Sequence, residues 1–592
     1  MEERTIAVWA WADRRPAWVI AVALACGAFL YLWNLRRAPD FLLDETLYVQ
    51  AARNVGNGNS LTFGDDPISV HPPLFFVTLA GWLAVFGGLQ TPMLDGVAVA
   101  RHLNVVYDLL VILLVALLAR SWSRTWTPAR RGCLLVVATA LTALNPFLLR
   151  FGRAVLLEPM ALAAGLLALL VAWRMRQAHA VLYATVVGAV IGVALLTKLP
   201  VLFLVAAPLA AAALQRDWRA LGRHVAALLV GGVVFAAFPI WAYRTGFWVQ
   251  FTSQQGESVR RLLGILQTTG LNRPGLSPFA AVWESFGQFV GGYLVFAIGG
   301  CVLVVALWQA LRRRTPVESG AAQILALGVV TYGFLGYSTL IGQANQHLTD
   351  YAVPASTLLV AGAPGILTGL RLRGRRFRVH LATAVCTVVA LLVCAVSWLT
   401  SFGIVRDDAA AQAEAYISRN LPPCAAVNST GNTLGWEWTL RTNPITSYSS
   451  GRQAVANDVR IFLDSPKDAM FHYGPSNAEL SNWLAENGRR VFSVASPTHQ
   501  RLSVYVVGEP VTPVGQSLPG CVAPLPQPVD IAAATAFGTT LGATLGADAL
   551  VALVAWPLVR RGGRHREKRS RAHRTPVTVD PVPASSPDGT GG

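Results

Sequence analysis

Charged side chains are scarce in this chain. Only 13% of its 592 residues are Asp, Glu, Lys or Arg, whereas 54% are hydrophobic, and the mean hydropathy is +0.47. Soluble domains carry about 25% charged residues, so the composition excludes an ordinary soluble protein. The sequence also lacks a His/Cys metal-binding cluster, a Ser/His/Asp arrangement and a phosphate-binding glycine loop. These absences argue against soluble nucleotide chemistry.

Long apolar runs recur along the chain, and a membrane-spanning helix needs about 20 such residues. The pattern predicts a polytopic α-helical membrane protein with about 12 transmembrane helices. The predicted spans are 17–35, 97–118, 132–149, 159–176, 181–197, 199–214, 224–242, 287–310, 322–342, 351–370, 379–402 and 530–559. The short runs 181–197 and 199–214 meet at Pro200 and form either a hairpin or one bent unit.

The net charge is +17, and the positive charges are unevenly distributed. Arginines precede the first predicted span and are concentrated in every second loop. This is the positive-inside pattern, which predicts cytoplasmic N- and C-termini and an extracytoplasmic first loop. A further span at 72–87 would invert every later loop. We therefore expect that run to form a helix lying in the membrane interface.

Polar residues concentrate after the eleventh predicted span. Strand-like runs at 425–427, 490–494 and 502–507 alternate with helical patterns at 407–421 and 477–487, which predicts a small extracytoplasmic α/β domain over residues 403–528. The membrane domain with the outer-loop site then covers 1–402, the last span lies in 529–560, and 561–592 is a basic disordered cytoplasmic tail. Cys424 and Cys521 bracket the outside domain, and whether they form a disulfide is left open.

The first outer loop contains the densest group of candidate functional residues. Between Pro39 and Phe76 it holds the adjacent carboxylates Asp44 and Glu45, then Tyr48, then His71. Acids close to a bilayer are costly and indicate a site. Asp44 also stands where a helix begins, so a capping role is the structural alternative.

Glu158 is the second candidate acid. It precedes Pro159 at the outer start of the fourth span, where the helix dipole favours an anion, so capping is again an alternative. Arg150 and Arg153 are close in sequence. They could hold a phosphate or pair with Glu158.

Further polar residues fall at outer helix ends or on one helix face. One face of the second span carries Arg101, Asn104 and Asp108. These residues either form a structural pair that links helices or belong to a functional site. Together with His71, the outer-end residues Lys198, His347 and Tyr351 predict a cavity whose positive rim faces an acidic centre. Such a cavity suits a phosphate-bearing substrate that a base must activate.

The order of these motifs resembles the protein O-mannosyltransferase and aminoarabinose transferase superfamily, the glycosyltransferase family 39-like branch of the GT-C membrane glycosyltransferases. The resemblance covers about residues 15–370. It rests on Asp44-Glu45-x-x-Tyr48, His71-Pro72-Pro73-Leu74, Arg101, Arg153 to Glu158, Leu196-Thr197-Lys198 and His347 to Pro354. It implies an inverting transferase on the outer face of a bacterial cytoplasmic membrane. The donor would be a polyprenyl-phosphate sugar, and the acceptor a cell-envelope glycan, lipid or protein.

The resemblance also implies residue roles. Asp44 would be the general base that deprotonates the acceptor, and Glu45 and Glu158 would position the acceptor or a divalent metal ion, whose need is left open. The residues implied to bind the donor phosphate or the rest of the substrate are Arg101, Arg153, His71, Lys198, Tyr48, His347 and Tyr351.

The sequence departs from the family at three points. The second acid, usually Asp, is Glu158, and His71 stands where Lys is common. Thr46-Leu47 lacks the arginine of aminoarabinose transferases, which argues against that sugar. Two alternatives stay open: a transporter or flippase of lipid-linked sugars, and an inactive homologue that acts as an assembly partner through residues 403–528.

Overall fold

The computed structural model describes residues 2–508, apart from 41, 60, 64–65, 267–278, 314–316, 342–345, 368–375, 432, 441 and 468–477. The described residues all belong to one compact unit, Met1–Phe537. The predicted last span and tail lie outside them and stay predictions. Cys424 is disulfide-bonded, and its predicted partner, Cys521, lies outside the described residues.

Helices form most of the described chain, because an apolar segment in a bilayer satisfies its backbone hydrogen bonds internally as a helix. The helices of the first half are α1 (Glu2–Arg14), α2 (Pro16–Leu32), α3 (Leu43–Gly56), α4 (Leu74–Val85), α5 (Met93–Trp122), α6 (Pro128–Ala143), α7 (Pro146–Phe151), α8 (Glu158–Met175), α9 (Ala180–Leu195), α10 (Val201–Val205), α11 (Ala207–Gln215), α12 (Trp218–Phe235), α13 (Ala237–Arg244) and α14 (Trp248–Leu262). The later ones are α15 (Ala280–Arg313), α16 (Ser319–Leu340), α17 (Val353–Ile366), α18 (Arg376–Trp398), α19 (Ala409–Asn420), α20 (Thr433–Thr439), α21 (Gly451–Ala456) and α22 (Ala478–Asn487), with a 3-10 helix at Gln346–Ala352 and a π-helical turn at Leu399–Gly403.

Six helices of the described chain are long and apolar enough to cross a membrane. They are Met93–Trp122, Glu158–Met175, Trp218–Arg244, Phe286–Arg312, Ser319–Leu340 and Thr383–Gly403. A seventh counts if Ala7–Arg14 and Pro16–Leu32, which meet at a bend of 89°, form one span. The mostly helical, multi-span architecture agrees with the sequence. The number of about 12 spans stays a prediction.

Helix α4 lies within the run 72–87, where an interfacial helix was predicted, and it is too short to cross the membrane. Its 12 residues extend about 18 Å, against about 30 Å of hydrocarbon. The backbone N–H of Leu74 donates to the carbonyl oxygen of Leu196 at 3.2 Å, which fixes the start of α4 beside the end of α9. This contact brings the loop of His71 next to Lys198.

Helices α9 and α12 pack closely because small residues face each other. A Cβ at Gly188 would lie 2.6 Å from the carbonyl oxygen of Ala227, so only glycine permits this approach. Helix α8 packs against both α5 and α9, and the 3-10 helix Gln346–Ala352 contacts α8. The start of α8 lies beside the segment after α9 and beside this 3-10 helix, because Lys198 and His347 both contact Glu158.

The chain after the eleventh predicted span forms a five-stranded mixed sheet. Its strands are β3 (Val427–Ser429), β4 (Ile445–Thr446), β5 (Ile461–Asp464), β6 (Gly488–Ser496) and β7 (Gln500–Val507), and β1 (Thr62–Phe63) and β2 (Asp66–Pro67) form a separate antiparallel pair. The order is β4-β3-β5-β7-β6, with β3 parallel to β4 and β5, and β7 antiparallel to β5 and β6.

The predicted helices at 407–421 and 477–487 and the strands at 490–494 and 502–507 are confirmed. The strand predicted at 425–427 starts later, at Val427. The chain is still in a turn before it, because Cys424 has a φ of 73° and Ala425 N donates to the carbonyl of Pro422 at 3.3 Å. Val427 and Ile461 belong to the same hydrophobic core as the membrane helices. The domain boundary at 403 stays a prediction.

Candidate active site

Asp44 lies in the first turn of α3, but it does not cap the helix. The N-cap residue is Leu42, and its backbone N–H donates to Glu45 Oε2 at 2.8 Å. Successive helical residues point about 100° apart, so Glu45 turns inward while the carboxyl group of Asp44 is left half-buried. The capping alternative therefore applies to Glu45, and Asp44 is available for chemistry.

The surroundings of Asp44 raise the pKa of its carboxyl group to about 6. Burial is the main cause, the charges of Glu158 and Glu45 add to it, and the positive charge of Lys198 opposes it. At neutral pH the group is mostly ionised, yet it binds a proton more strongly than an ordinary aspartate. A pKa close to the working pH is what a general base needs.

Glu158 begins α8 and faces Lys198 and His347, which come from two other segments. Lys198 Nζ bonds to Glu158 Oε1, and His347 Nε2 lies 3.5 Å from the same oxygen. Glu158 is 1% exposed and Lys198 8% exposed. The structure thus brings the predicted residues Asp44, Glu158, Lys198 and His347 together, since the charges of Glu158 and Lys198 both act on Asp44.

Tyr48 and His71 form the side of the site next to α4. The hydroxyl of Tyr48 lies 3.1 Å from His71 Nε2, and the two rings meet edge to face. Burial lowers the pKa of His71 to about 3 and that of His347 to about 4. Both rings are therefore neutral at pH 7. The rim is less positive than the sequence suggests, and in the free protein its charge comes from Lys198.

Glu45 and Arg101 form a buried ion pair, whereas the carboxyl group of the adjacent Asp44 is only half-buried. Arg101 Nε and Nη2 donate to the two Glu45 oxygens at 2.8 and 2.7 Å, and the residues are 3% and 0% exposed. Arg101 Nη1 also donates to the carbonyls of Leu35 and Pro39 at 3.0 and 2.8 Å, and Val155 N donates to Glu45 Oε1 at 2.8 Å. In this geometry the pair fastens the first loop to α5 and to the second outer loop.

Arg150 and Arg153 do not pair with Glu158, so that alternative is wrong. Arg153 is fully buried and donates to the carbonyl oxygens of Trp33 and Leu30. Burial lowers the pKa of its guanidinium to about 9. Arg150 Nη2 donates to the hydroxyl of Thr498, in the turn between β6 and β7, at 2.6 Å. The structure therefore holds Arg153 inside the fold on backbone carbonyls, and its role in phosphate binding stays a prediction.

Asp350 is a buried acid that the sequence reasoning missed. It is 1% exposed, and both carboxylate oxygens lack a hydrogen-bond partner among the described residues. Burial raises the pKa of Asp350 well above its usual value, and the charge of Glu158 adds to the effect. The neighbouring predicted residue Tyr351 is 1% exposed, and its hydroxyl also lacks a partner in the described part of the chain. An acid beside Glu158 was visible in the sequence at HLTDY but had no spacing that marked it.

Two glutamines of α14 were also missed. Gln254 accepts from Ser69 N at 2.7 Å and donates to the carbonyl of Pro67 at 3.1 Å, while Gln255 donates to the carbonyl of Ser69 at 2.6 Å. The third outer loop thereby holds the backbone that leads into His71. The charge of Arg261, on the same helix, also contributes to lowering the pKa of His71.

The divalent metal ion stays a prediction. Among the residues that the structure describes, no three or more His, Cys, Asp or Glu side chains are grouped to hold one. One oxygen of Glu158 faces Lys198 and His347, and both oxygens of Glu45 bind Arg101. Two of the three predicted acids are thus already paired with positively charged or hydrogen-bonding groups, and no step below uses a metal.

No family model matches the chain, and no curated protein matches its sequence. Among solved structures, it is similar to the oligosaccharyltransferase AglB from Archaeoglobus fulgidus in complex with an inhibitory peptide and a dolichol-phosphate, with a TM-score of 0.51, 14% identity, and coverage of 85% of this chain and 74% of that one. The chain is also similar to ArnT from Cupriavidus metallidurans bound to undecaprenyl phosphate. Here the TM-score is 0.49, the identity is 15%, and the match covers 83% of this chain and 97% of that one. The likeness to AglB shows the GT-C fold that the sequence resemblance implies.

Proposed function

We propose that this GT-C protein is an inverting glycosyltransferase that moves a monosaccharide from a polyprenyl-phosphate donor to a glycan, lipid or protein acceptor at the outer face of the membrane. The observation that carries the proposal is Asp44, a half-buried carboxylate whose pKa is raised to about 6 beside Lys198. AglB, which shares the fold, was solved with a dolichol-phosphate, and this supports a lipid phosphate as the donor's leaving group.

In the proposed reaction, Asp44 accepts the proton of an acceptor hydroxyl or amine. The freed electron pair attacks the anomeric carbon, the bond from that carbon to the phosphate oxygen breaks, and polyprenyl phosphate leaves. Attack opposite the leaving group inverts the anomeric centre. A positioned base of this kind typically contributes about 10²–10⁴-fold to the rate.

The departing phosphate carries the charge that the site has to stabilise. Lys198 supplies a positive charge close to Asp44, and the neutral rings of His71 and His347 are able to donate hydrogen bonds to phosphate oxygens. Tyr48 holds the ring of His71, and Gln254 and Gln255 hold the backbone before it. We assign Glu45 and Arg101 to positioning, because they bind each other and the loop backbone.

The test uses membranes from cells that express the protein, supplied with a panel of radiolabelled polyprenyl-phosphate sugars and a cell-envelope fraction as the acceptor source. Donor consumption is compared between wild type, Asp44→Asn and Asp95→Asn. Asp95 is an exposed acid in the first turn of α5, so its variant is a matched control. We expect one donor to turn over, the Asp44→Asn protein to lose the activity, and the Asp95→Asn protein to keep it.

Full activity of Asp44→Asn would refute the base assignment and make Glu158 the next candidate. If the folded wild-type protein consumed no donor but moved labelled lipid between vesicle leaflets, the transporter alternative would replace the transferase. A protein that did neither, while its Asp44→Asn variant still complemented a deletion strain, would be the inactive assembly partner.

A further inference from the structure

A polar cavity of about 260 Å³ lies at the far end of the bundle from Asp44. Glu158 starts α8 at the candidate active site, and Arg176 follows the last turn of the same helix. At 1.5 Å per residue, these two positions are about 27 Å apart. The cavity is therefore at the opposite end of the membrane helices, where the basic loops cluster, and it is separate from the site described above.

The walls of the cavity come from α8, α9, α11, α12 and α16, and two arginines are fixed on them. Arg176 Nη1 donates to the carbonyl of Trp173 at 2.8 Å, and its guanidinium lies 4.0 Å from the Trp173 ring. Arg223 Nη1 donates to the carbonyl of Arg176 at 3.1 Å, with its guanidinium over the Tyr183 ring. One nitrogen of each arginine thus anchors the side chain, and the remainder can face a ligand.

Two buried donors at this cavity lack an acceptor. Trp173 Nε1 and Arg223 Nε are both buried and have no hydrogen-bond partner among the described residues. Leaving a buried donor unpaired costs about 1–3 kcal/mol. Both belong to residues that line the cavity, so an acceptor-rich ligand that either side chain reached by a change of rotamer would remove this cost.

The charges point to an anion. The lining contains Arg176, Arg223 and a single carboxylate, Asp217, which already accepts a bond from Ala220 N at 2.9 Å. Burial and the nearby charges of Arg124 and Arg174 lower the pKa of Arg176, so positive charges here repel one another. The repulsion would be relieved by a bound anion.

Both ring nitrogens of the buried His224 in the lining are already bonded within the protein. His224 Nε2 lies 2.8 Å from the carbonyl oxygen of Val205, which can only accept, so Nε2 donates. Its Nδ1 then accepts from the hydroxyl of Tyr183 at 2.9 Å in the neutral ring. Recognition therefore falls to the two guanidinium groups, whose planar donors match phosphate oxygens.

We propose that this cavity binds a phosphate group at the basic-loop end of the protein. Its volume is below the roughly 300–1,000 Å³ of sites for drug-sized ligands, so it suits a headgroup rather than a complete sugar nucleotide. The phosphate belongs to a lipid headgroup or to a free phosphate, and the test separates the two sources.

The test measures binding to the purified full-length protein in neutral detergent by calorimetry. The probes are dioctanoyl phosphatidic acid, inorganic phosphate, and dioctanoyl glycerol as a lipid without phosphate. The variants are Arg176→Gln with Arg223→Gln, and Ala212→Phe, which fills the cavity and keeps both arginines. Arg219→Gln, an exposed arginine of α12 outside the cavity, is the charge-matched control.

We expect the wild-type and Arg219→Gln proteins to bind a phosphate probe, and the double-arginine and Ala212→Phe proteins to bind it at least 10-fold more weakly. Binding of the lipid probe alone identifies a headgroup site, and binding of both probes a free-phosphate site. Lys198→Met, which removes the cation of the outer site, should leave this binding unchanged, so a failure of the proposed function is distinguishable from a failure of this inference.

Equal binding of dioctanoyl glycerol, no phosphate binding by the wild-type protein, or phosphate binding that survives in Ala212→Phe would each overturn the proposal. A monodisperse elution profile shows that a variant is folded. If the double-arginine protein lacks such a profile, the Ala212→Phe result alone decides.

Discussion

Asp407 accepts two hydrogen bonds from Thr498, one from its backbone N–H at 3.0 Å and one from its hydroxyl at 2.6 Å. The same hydroxyl oxygen accepts from Arg150 at 2.6 Å. The turn between β6 and β7 therefore reaches back to the second outer loop of the membrane helices. One small side chain joins parts of the chain that are far apart in sequence.

We predict that Thr498→Val destabilises the protein by about 1–3 kcal/mol, because it removes the hydroxyl that bonds to both Arg150 and Asp407. Valine has the shape of threonine, so packing is little changed. The measurement is the free energy of unfolding from denaturant titration of the purified protein. Thr245→Val, at an exposed threonine that bonds only within its own helix, is the control. Equal stability of the two variants would show that the Thr498 bonds contribute nothing.

We expect the effects of substituting Glu45 and Arg101 on stability to be coupled, because the two residues form a buried ion pair. Arg101→Met should cost about 3–5 kcal/mol of stability, since the buried carboxylate of Glu45 loses its compensating charge. Glu45→Gln combined with Arg101→Met should cost less than the sum of the single variants, because no charge is left buried. A double-mutant cycle measures the difference. Additive costs would contradict the assignment of this pair to positioning.

The rate of the proposed transfer should fall as the medium becomes acidic. Asp44 must be ionised to accept a proton, and its pKa is about 6, so kcat/KM is expected to decrease about tenfold per pH unit below that value. Rates of donor consumption between pH 4.5 and 8 give the profile. A midpoint near pH 4 would mean that the group that titrates is an ordinary carboxylate and not Asp44.

Two neighbouring charges should shift the midpoint of this pH profile in opposite directions. The charge of Lys198 lowers the pKa of Asp44 and the charge of Glu158 raises it. Lys198→Met should therefore shift the midpoint to higher pH, and Glu158→Gln should shift it to lower pH. Both variants are compared by kcat/KM, measured at donor concentrations well below KM, because this quantity reports the pKa of the free enzyme. Shifts of the same sign would be inconsistent with the arrangement of these three residues.

Stability should respond to Asp44 with a definite sign. The folded-state pKa, about 6, is above the ordinary value of 3.8, so folding favours the protonated carboxyl group. That stabilisation is complete below about pH 4 and is lost as the pH rises through 6. Above pH 6, Asp44→Asn should thus be more stable than wild type, by at most about 3 kcal/mol for a shift of about two units. Melting temperatures at pH 5 and pH 7.5 measure the change, and a less stable variant at pH 7.5 would refute it.

Much of the site could be predicted because acids and cations at outer helix ends are expected to converge once the topology is known. Asp44, Glu158, Lys198 and His347 come from different segments and do converge. Glu45 was assigned to the same site because it is adjacent to Asp44. In a helix, however, the side chains of adjacent residues point in different directions, and Glu45 forms an ion pair with Arg101.

Other parts could not be read from the sequence. Gln254 meets Ser69 across 185 residues, and no periodicity records such a contact. The charge of His71 depends on how deeply the fold buries its ring, which is a property of the packed state. The number of spans is not set by composition for a related reason, because short apolar helices such as Ala180–Leu195 have the composition of a span without its length.

The bonds between the sheet and the outer loops limit how this protein can be taken apart. Asp407 N donates to the carbonyl of Arg37 at 3.0 Å, and Ala410 N donates to Asp40 at 2.9 Å, in addition to the Thr498 bonds. A chain shortened at residue 402 would expose these polar groups and loosen the loop that contains Asp44. In a chimera with a related transferase, the segment after 402 and the loops that it contacts would have to be exchanged as a matched set.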